Sequence, residues 1–413
     1  MTGTIVAQAI PIAIAPILTR LYAPEDFGVF ALFMSIVSVI GVVATARYEL
    51  AVILPKEDED AINIIALSLI ISFIISLLTL LIVFFFNEPI SKLLNNKGIS
   101  RWLYFMPLAI FLTGIYQVFN YWSSRKKKFV QNAVSRVSVS SSIAIGNLGM
   151  GYSLMGSAGL IFSGILSQFV GVLILGWEFV INLGSYKKQI SKKKVIENMI
   201  KYRNFAKINS PHALVDSLQD NGIIFLITYY FTSTIVGFYS FAFRILKAPV
   251  GLIGSSFYQV FYQKASIAIN ENQNLRILVV KILKKLFLFG LPFFLILFIT
   301  APWVFSIVFG EKWRVAGEIA QIMTPWMFFN FIISPLSCLP ILLNKQKEAM
   351  LITFADVSIR VLSLIIGGVY RNYKLSLIII SVSCSLLLIF ALFWYYNISS
   401  HNFNKSSDKK YYE

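Results

Sequence analysis

Apolar residues along this chain fall in long uncharged blocks. Neither Ala61 to Phe86 nor Trp102 to Trp122 carries a charged side chain, and Leu286 to Gly310 and Ile319 to Asn344 repeat the pattern. A hydrocarbon core of ~30 Å is crossed by about 20 helical residues at ~1.5 Å each, so each block predicts one transmembrane helix. Val137 to Trp177 is also uncharged throughout and is about twice as long as one crossing needs. The Gly156-Ser157-Ala158-Gly159 tetrad supplies a turn that divides it. The pattern as a whole predicts twelve spans, at 3–19, 28–46, 62–86, 102–122, 137–154, 158–182, 210–231, 235–261, 286–308, 319–343, 350–370 and 375–397. Met1-Thr2-Gly3 leads into the first of them with no basic stretch ahead, so that helix reads as a span and not as a cleaved signal. Its Pro11 and Pro16 are tolerable where neighbouring helices satisfy the freed carbonyls.

Composition agrees. Hydrophobic residues make up 57% of 413 and charged residues 13%, against about a quarter charged in a soluble domain; mean hydropathy is +0.74. The expected fold class is all-α, a polytopic integral membrane protein. Both cysteines, Cys338 and Cys384, lie in apolar segments and read as packing residues, not a disulfide.

The net charge of +17 is explained by where the basic residues stand. With the N-terminus cytoplasmic, inward loops and the C-terminal tail hold 25 Lys and Arg and outward loops hold 8. That asymmetry places both termini in the cytoplasm and assigns the charge to topology and anionic headgroups, so no nucleic-acid partner is expected. The longest polar stretch, 184–208, separates six spans from six. It divides the chain into an N-terminal lobe (1–183), a basic cytoplasmic connection (184–208) acting as a tether, a C-terminal lobe (209–397) and a tail (398–413). A faint repeat agrees: Leu18 to Tyr22 with Phe27-Gly28-Val29-Phe30 stands 209 residues before Ile227 to Phe231 with Val236-Gly237-Phe238-Tyr239. Two related lobes around a central cavity are a transporter layout.

Several chemistries find no support. No Gly-x-x-x-x-Gly-Lys-Ser/Thr loop is present, and only His212 and His401 could act as histidine ligands, so no cofactor or metal is expected. The adjacent outward acidic pair, Glu25-Asp26, follows Pro24 and reads as a helix start. A glycosyltransferase is therefore disfavoured, and no catalytic residue is assigned. What remains is the set of charges inside spans, which mark a functional interior by default. His212, Asp216 and Asp220 share one stripe of span seven at i, i+4, i+8; Arg244 and Lys247 stand i, i+3 on span eight; Asp356 and Arg360 stand i, i+4 on span eleven. Asp220 lies ~15 Å in from the inner end of its span and Arg244 ~14 Å in from the outer end of the next, so the two are expected to meet near the midplane. Asp356 and Arg360 can satisfy one another within a helix. Arg47 and Glu49 read equally as interfacial anchors, and Trp102 and Trp122 as parts of an aromatic belt.

Ile17-Leu18-Thr19-Arg20-Leu21-Tyr22-Ala23-Pro24-Glu25-Asp26-Phe27-Gly28 and Arg47-Tyr48-Glu49-Leu50-Ala51-Val52-Ile53-Leu54-Pro55 resemble the opening of bacterial polysaccharide flippases. These are the Wzx-type translocases of O-antigen, capsule and lipopolysaccharide within the MOP exporter superfamily. Tyr202-Arg203-Asn204-Phe205, Val236 to Ser240 and Phe309-Gly310-Glu311-Lys312-Trp313 are similar to them as well. Family members carry further residues ahead of the first helix, a departure here. The resemblance implies two bundles around a cavity in the cytoplasmic membrane. It also implies translocation of undecaprenyl-pyrophosphate-linked oligosaccharide from the inner to the outer leaflet, beside membrane lipids and other polysaccharide assembly proteins. Arg244, Lys247, Arg20, Arg47 and Arg360 are then the candidates for docking phosphate. Asp216, Asp220, His212 and Asp356 are the candidates for a coupling H+ or Na+. A drug or cation exporter of the same superfamily is the main rival and would want a cavity dominated by carboxylates.

Overall fold

The computed structural model describes residues 2–271 and 273–399; the side chains of Thr2, Asp220, Pro249, Leu252 and Ser255 lie outside that description. The described chain is 89% helical and has no strands. By packing it divides into two units, Met1–Ser240 and Phe241–Glu413.

The first unit contains α1 (Thr2–Ala13), α2 (Ala15–Leu21), α3 (Pro24–Gly41), α4 (Asp58–Leu93), α5 (Ser100–Leu103), α6 (Met106–Arg125), α7 (Phe129–Tyr152), α8 (Ser157–Ile181), α9 (Leu183–Gln189), α10 (Lys192–Lys201), α11 (Ser210–Tyr230) and the start of α12 (Ser233–Asn270). The second continues along α12 to α13 (Leu275–Phe309), α14 (Arg314–Ile333), α15 (Leu339–Leu342), α16 (Gln346–Val369) and α17 (Tyr373–Ile398). The predicted spans fall on these helices, with three of them broken: 3–19 covers α1 and α2, 102–122 covers the end of α5 and α6, and 319–343 covers α14 and α15; 28–46 runs past the end of α3 at Gly41. Among the described residues eight are long and apolar enough to cross a membrane, or nine if the bent pair Lys97–Leu103 and Met106–Arg125 counts as one span. The remaining three, α7, α11 and α12, carry polar interiors, such as the serine run at 138 and 140–142. The protein is a multi-pass membrane protein.

Local chemistry sets the breaks. α1 and α2 part at Ile14, just before Pro16 at the start of α2. α4 kinks at Phe86 (φ −119°, ψ 17°) because Pro89 inside the helix cannot donate to the preceding turn. α7 and α8 part at the predicted tetrad, where Gly156 takes φ +56°.

Two apolar cores fill the first unit. One gathers Leu32, Phe33, Ile99, Leu103 and Ile110 with Phe225 of α11. The other gathers Tyr48, Val52, Ile62, Ile65 and Phe179 at the opposite ends of the helices. Trp102 and Trp122 are 8% and 2% exposed. They do not form the expected interfacial belt: Trp102 packs edge-on to Phe162 and Trp122 edge-on to Phe179. An aromatic at a helix end turns inward when a neighbouring helix offers apolar area there.

α11 packs on α3, and the start of α12 meets α3 more closely still. A Cβ placed on Gly28 would lie 1.8 Å from the Ser233 carbonyl oxygen, and one on Gly237 would lie 1.8 Å from the Pro24 carbonyl oxygen. Gly28 and Gly237, like Pro24 and Ser233, are 209 residues apart. The contact is therefore reciprocal between repeat-related positions, and only glycine permits it.

In the second unit, α13 and α17 pack on α14 and α16 packs on α17. The Phe309 to Trp313 phrase has a structural purpose. Gly310 turns the chain at φ +100°, and Trp313 packs on Phe241 with ring centroids 4.5 Å apart.

Candidate functional site

In the second unit three predicted site residues lie along one chain of contacts. The Lys247 ammonium on α12 stands 5.4 Å from the Phe243 ring. Phe243 stacks on Trp326 of α14 at 6.1 Å and 29°. The Arg360 guanidinium of α16 stands 5.7 Å from Trp326 and bonds Asp356 at 2.5 Å. Asp356 keeps its second oxygen, Oδ1, buried beside the Cys384 thiol. The helical spacing predicted the Asp356–Arg360 pair; Phe243 and Trp326, which link it to Lys247, carried no distinguishing signal in an apolar sequence.

Arg244 and Lys247 are both exposed although they lie in the interior of a long helix. Among the described residues neither has a carboxylate within ion-pair distance. The expected Arg244–Asp220 pair falls on a side chain outside the described residues.

Among its described residues the first unit brings together one pair of predicted site residues, His212 and Asp216. His212 Nδ1 bonds Asp216 at 3.0 Å, one turn apart on an exposed stripe of α11. Only Asn221–Tyr230 of that helix is apolar as a segment, so this pair sits in the polar half. Arg20 donates to the Pro16 carbonyl at 2.7 Å and is exposed. His401 lies outside the described residues.

Arg47 occupies a more elaborate place. Ala46 and Arg47 both take positive φ, 48° and 62°, an unfavourable backbone for residues with a Cβ. The turn directs Arg47 at Glu49, 3.3 Å away, and Thr45 Oγ1 donates to the same carboxylate. Glu49 is 1% exposed, and burial pushes its carboxyl above the ordinary carboxylate range although Thr45 and Arg47 pull it down. Arg47 Nε is buried with no partner. Arg125 secures the turn from α6 by donating to the carbonyls of Val52, Ile53 and Pro55 and pairing with Asp58 at 3.0 Å. The Lys126 ammonium joins the same carboxylate. The basic run at 125–128 is thus partly structural as well as a topology signal.

The conspicuous phrases of the N-terminal sequence are anchors in the same sense. Tyr22 donates to the Asn147 carbonyl at 2.7 Å, and Asp26 accepts from the Ala23 amide at 2.9 Å as α3 begins. Arg136, on α7, escaped the sequence reading. It is exposed and donates to Thr4 Oγ1 at 3.0 Å.

Known structures share this architecture. An inward-facing multidrug resistance MATE family transporter of the MOP superfamily matches with TM-score 0.72 and 16% identity, covering 98% of this chain and 96% of its own. The lipid II flippase MurJ, in an inward closed conformation, matches with TM-score 0.67 and 16% identity, covering 96% and 89%. A MATE transporter of Vibrio cholerae matches with TM-score 0.59 and 15% identity, covering 96% and 93%. These identities establish the fold alone. No curated protein sequence matches the chain. The family model described as polysaccharide biosynthesis protein matches residues 17–318, most of the sequence. The chain therefore belongs to the polysaccharide biosynthesis protein family and has the fold shared by the MATE and MurJ transporters of the MOP superfamily.

Proposed function

We propose that the protein is a flippase. It moves undecaprenyl-pyrophosphate-linked oligosaccharide from the inner to the outer leaflet of the bacterial cytoplasmic membrane, with both termini cytoplasmic. The observation that carries this reading is the pair Arg244 and Lys247, exposed inside a long helix and without a carboxylate partner among the described residues. A charge at membrane depth costs about 2.5–3.5 kcal/mol on insertion scales, so two retained there imply an anionic cargo. A pyrophosphate supplies that charge, and Arg244 offers it a planar fork while Lys247 adds a point charge. The glycan explains why a protein is needed at all: a large hydrophilic group cannot cross hydrocarbon unaided.

Transport then proceeds by alternating access between lobes 1–183 and 209–397. Coupling to H+ or Na+ falls to Asp216, Asp220 and His212 on α11 and to Asp356 on α16. Arriving pyrophosphate competes for Arg244 and leaves Asp220 unpaired, which favours uptake of a cation by that carboxylate. Differential binding of this kind is what any such switch requires. Arg20, Arg47 and Arg360 are secondary docking groups, and the other polysaccharide assembly proteins hand over and receive the cargo.

A drug or cation exporter would need free carboxylates facing its cargo. Here Asp356 is neutralised by Arg360 and Asp216 is engaged by His212. In a strain that depends on this protein for surface glycan, Arg244→Ala is expected to lower export by about 30-fold or more with membrane abundance unchanged. Arg244→Lys is expected to recover only part of it. Full export by the Ala variant would remove the role.

A further inference from the structure

The chain leaves α8 at Ile181 and enters α11 at Ser210, so the stretch between them, 182–209, is tied at both ends to membrane helices. One face of α10 is bolted to the protein. Asn63 on α4 donates to the Gln189 carbonyl at 2.9 Å and accepts from the Ser191 amide at 2.9 Å. Lys194 pairs with Glu59 at 2.7 Å, Asn198 is buried, and Tyr48 donates to the Met199 carbonyl at 2.9 Å. Over this stretch the segment read as a tether along the inner surface is a helix docked on the first unit.

Among the described residues nothing covers the adjacent face of α10. Ile196, Met199 and Ile200 are 42%, 41% and 57% exposed and stand at i, i+3, i+4, one continuous apolar stripe. Lys192 and Arg203 prolong that stripe at its two ends, and Lys187 and Lys188 lie on α9 just before it. All four cations are exposed, and none has a carboxylate partner among the described residues. α8 ends with Trp177, Val180 and Ile181 exposed, which sets this region at the level where apolar side chains leave the bilayer.

We infer that α9 and α10 form a docking surface for an anionic lipid bilayer, with the Ile196–Met199–Ile200 stripe among the acyl chains and Lys187, Lys188, Lys192 and Arg203 on headgroup phosphates. Charge complementarity selects this occupant. An apolar stripe framed by unpaired cations matches an interface that is oily beneath and negative at its surface. A protein partner would have to bring both acidic groups and an apolar face to a helix already held at membrane level. The consequence reaches the interior. The segment that touches lipid also holds Asn63 of α4, through the link between α9 and α10, and Tyr48 beside the turn carrying Arg47 and Glu49, so anionic lipid fixes the inner end of the first unit. This inference stands whether or not the cargo is a lipid-linked glycan.

The test uses the full chain in nanodiscs, with a bimane fluorophore on Ile196→Cys, Ile200→Cys or Glu197→Cys. The native Cys338 and Cys384 are both buried and leave the introduced thiol as the reactive one. Brominated phosphatidylglycerol should quench positions 196 and 200 strongly, and position 197, on the solvent side, weakly. Brominated phosphatidylcholine at equal content should quench 196 and 200 less. Changing Lys187, Lys188, Lys192 and Arg203 to Gln should abolish that preference, by up to about fivefold for each charge removed, and 0.5 M salt should shrink it. Equal quenching by both lipids would overturn the charge recognition. No quenching at 196 or 200 by either lipid would show that the stripe faces water or a protein and overturn the proposal.

Discussion

Single residues in this protein divide into charges that are already answered and charges that are not. Glu49 belongs to the first kind, held by Thr45 and Arg47 in a strained turn. Because its carboxyl is raised by burial, the folded chain holds that proton more tightly than the unfolded chain does. The stability it contributes is full below the ordinary glutamate value of ~4.3 and is lost as pH rises through the raised one. Thermal unfolding in detergent should show this as a fall in Tm with rising pH over that window, and Glu49→Gln should flatten the fall. An equally steep fall in the variant would assign the titration to another group. Sequence spacing alone found Arg244, Lys247, Asp356 and Arg360, since a charge in an apolar block announces itself. It did not find Phe243 or Trp326, because nothing separates an aromatic that carries a cation from one that fills a core. Arg47 and Glu49 read as interfacial anchors, whereas their pairing and the burial of Glu49 depend on the turn at 45–49 and on α4, α6 and the distant α10.

At the scale of the element, the apolar blocks predicted where helices exist and much less well where they end. α13 begins at Leu275, well before its apolar block at Leu286, and carries Lys281, Lys284 and Lys285 on helical backbone. Lysine is a good helix former, so the hydrocarbon limit and the helix limit need not coincide. The phrase around Gly28 was visible as a repeat, whereas its meaning, a backbone contact with its own counterpart Gly237, required the fold. Beside that contact Asn96 donates to Ser233 Oγ at 2.9 Å, joining one proposed lobe to the other. If the lobes part there during transport, Asn96→Cys with Ser233→Cys should crosslink on oxidation and stop export, and reduction should restore it. Export that continues at full rate in the crosslinked protein would show that this contact never opens.

For the molecule as a whole, the cargo claim and the coupling claim are separable. Coupling predicts that Asp220→Asn binds the lipid-linked substrate yet loses the dependence of transport on a pH or Na+ gradient. A variant that is merely depleted from the membrane, and keeps its ion dependence in what remains, would make Asp220 a structural lock between α11 and α12. The cargo claim rests on two cations that have no carboxylate partner among the described residues, in a member of a polysaccharide biosynthesis family, and it can be tested without cells. Purified protein in vesicles loaded with undecaprenyl-pyrophosphate oligosaccharide would be probed by a membrane-impermeant glycan hydrolase added outside. The account predicts that glycan initially protected in the inner leaflet becomes hydrolysable with wild-type protein and stays protected with Arg244→Ala. Protected glycan that stays inside with active, folded wild-type protein, in vesicles that do export a cationic drug, would contradict it.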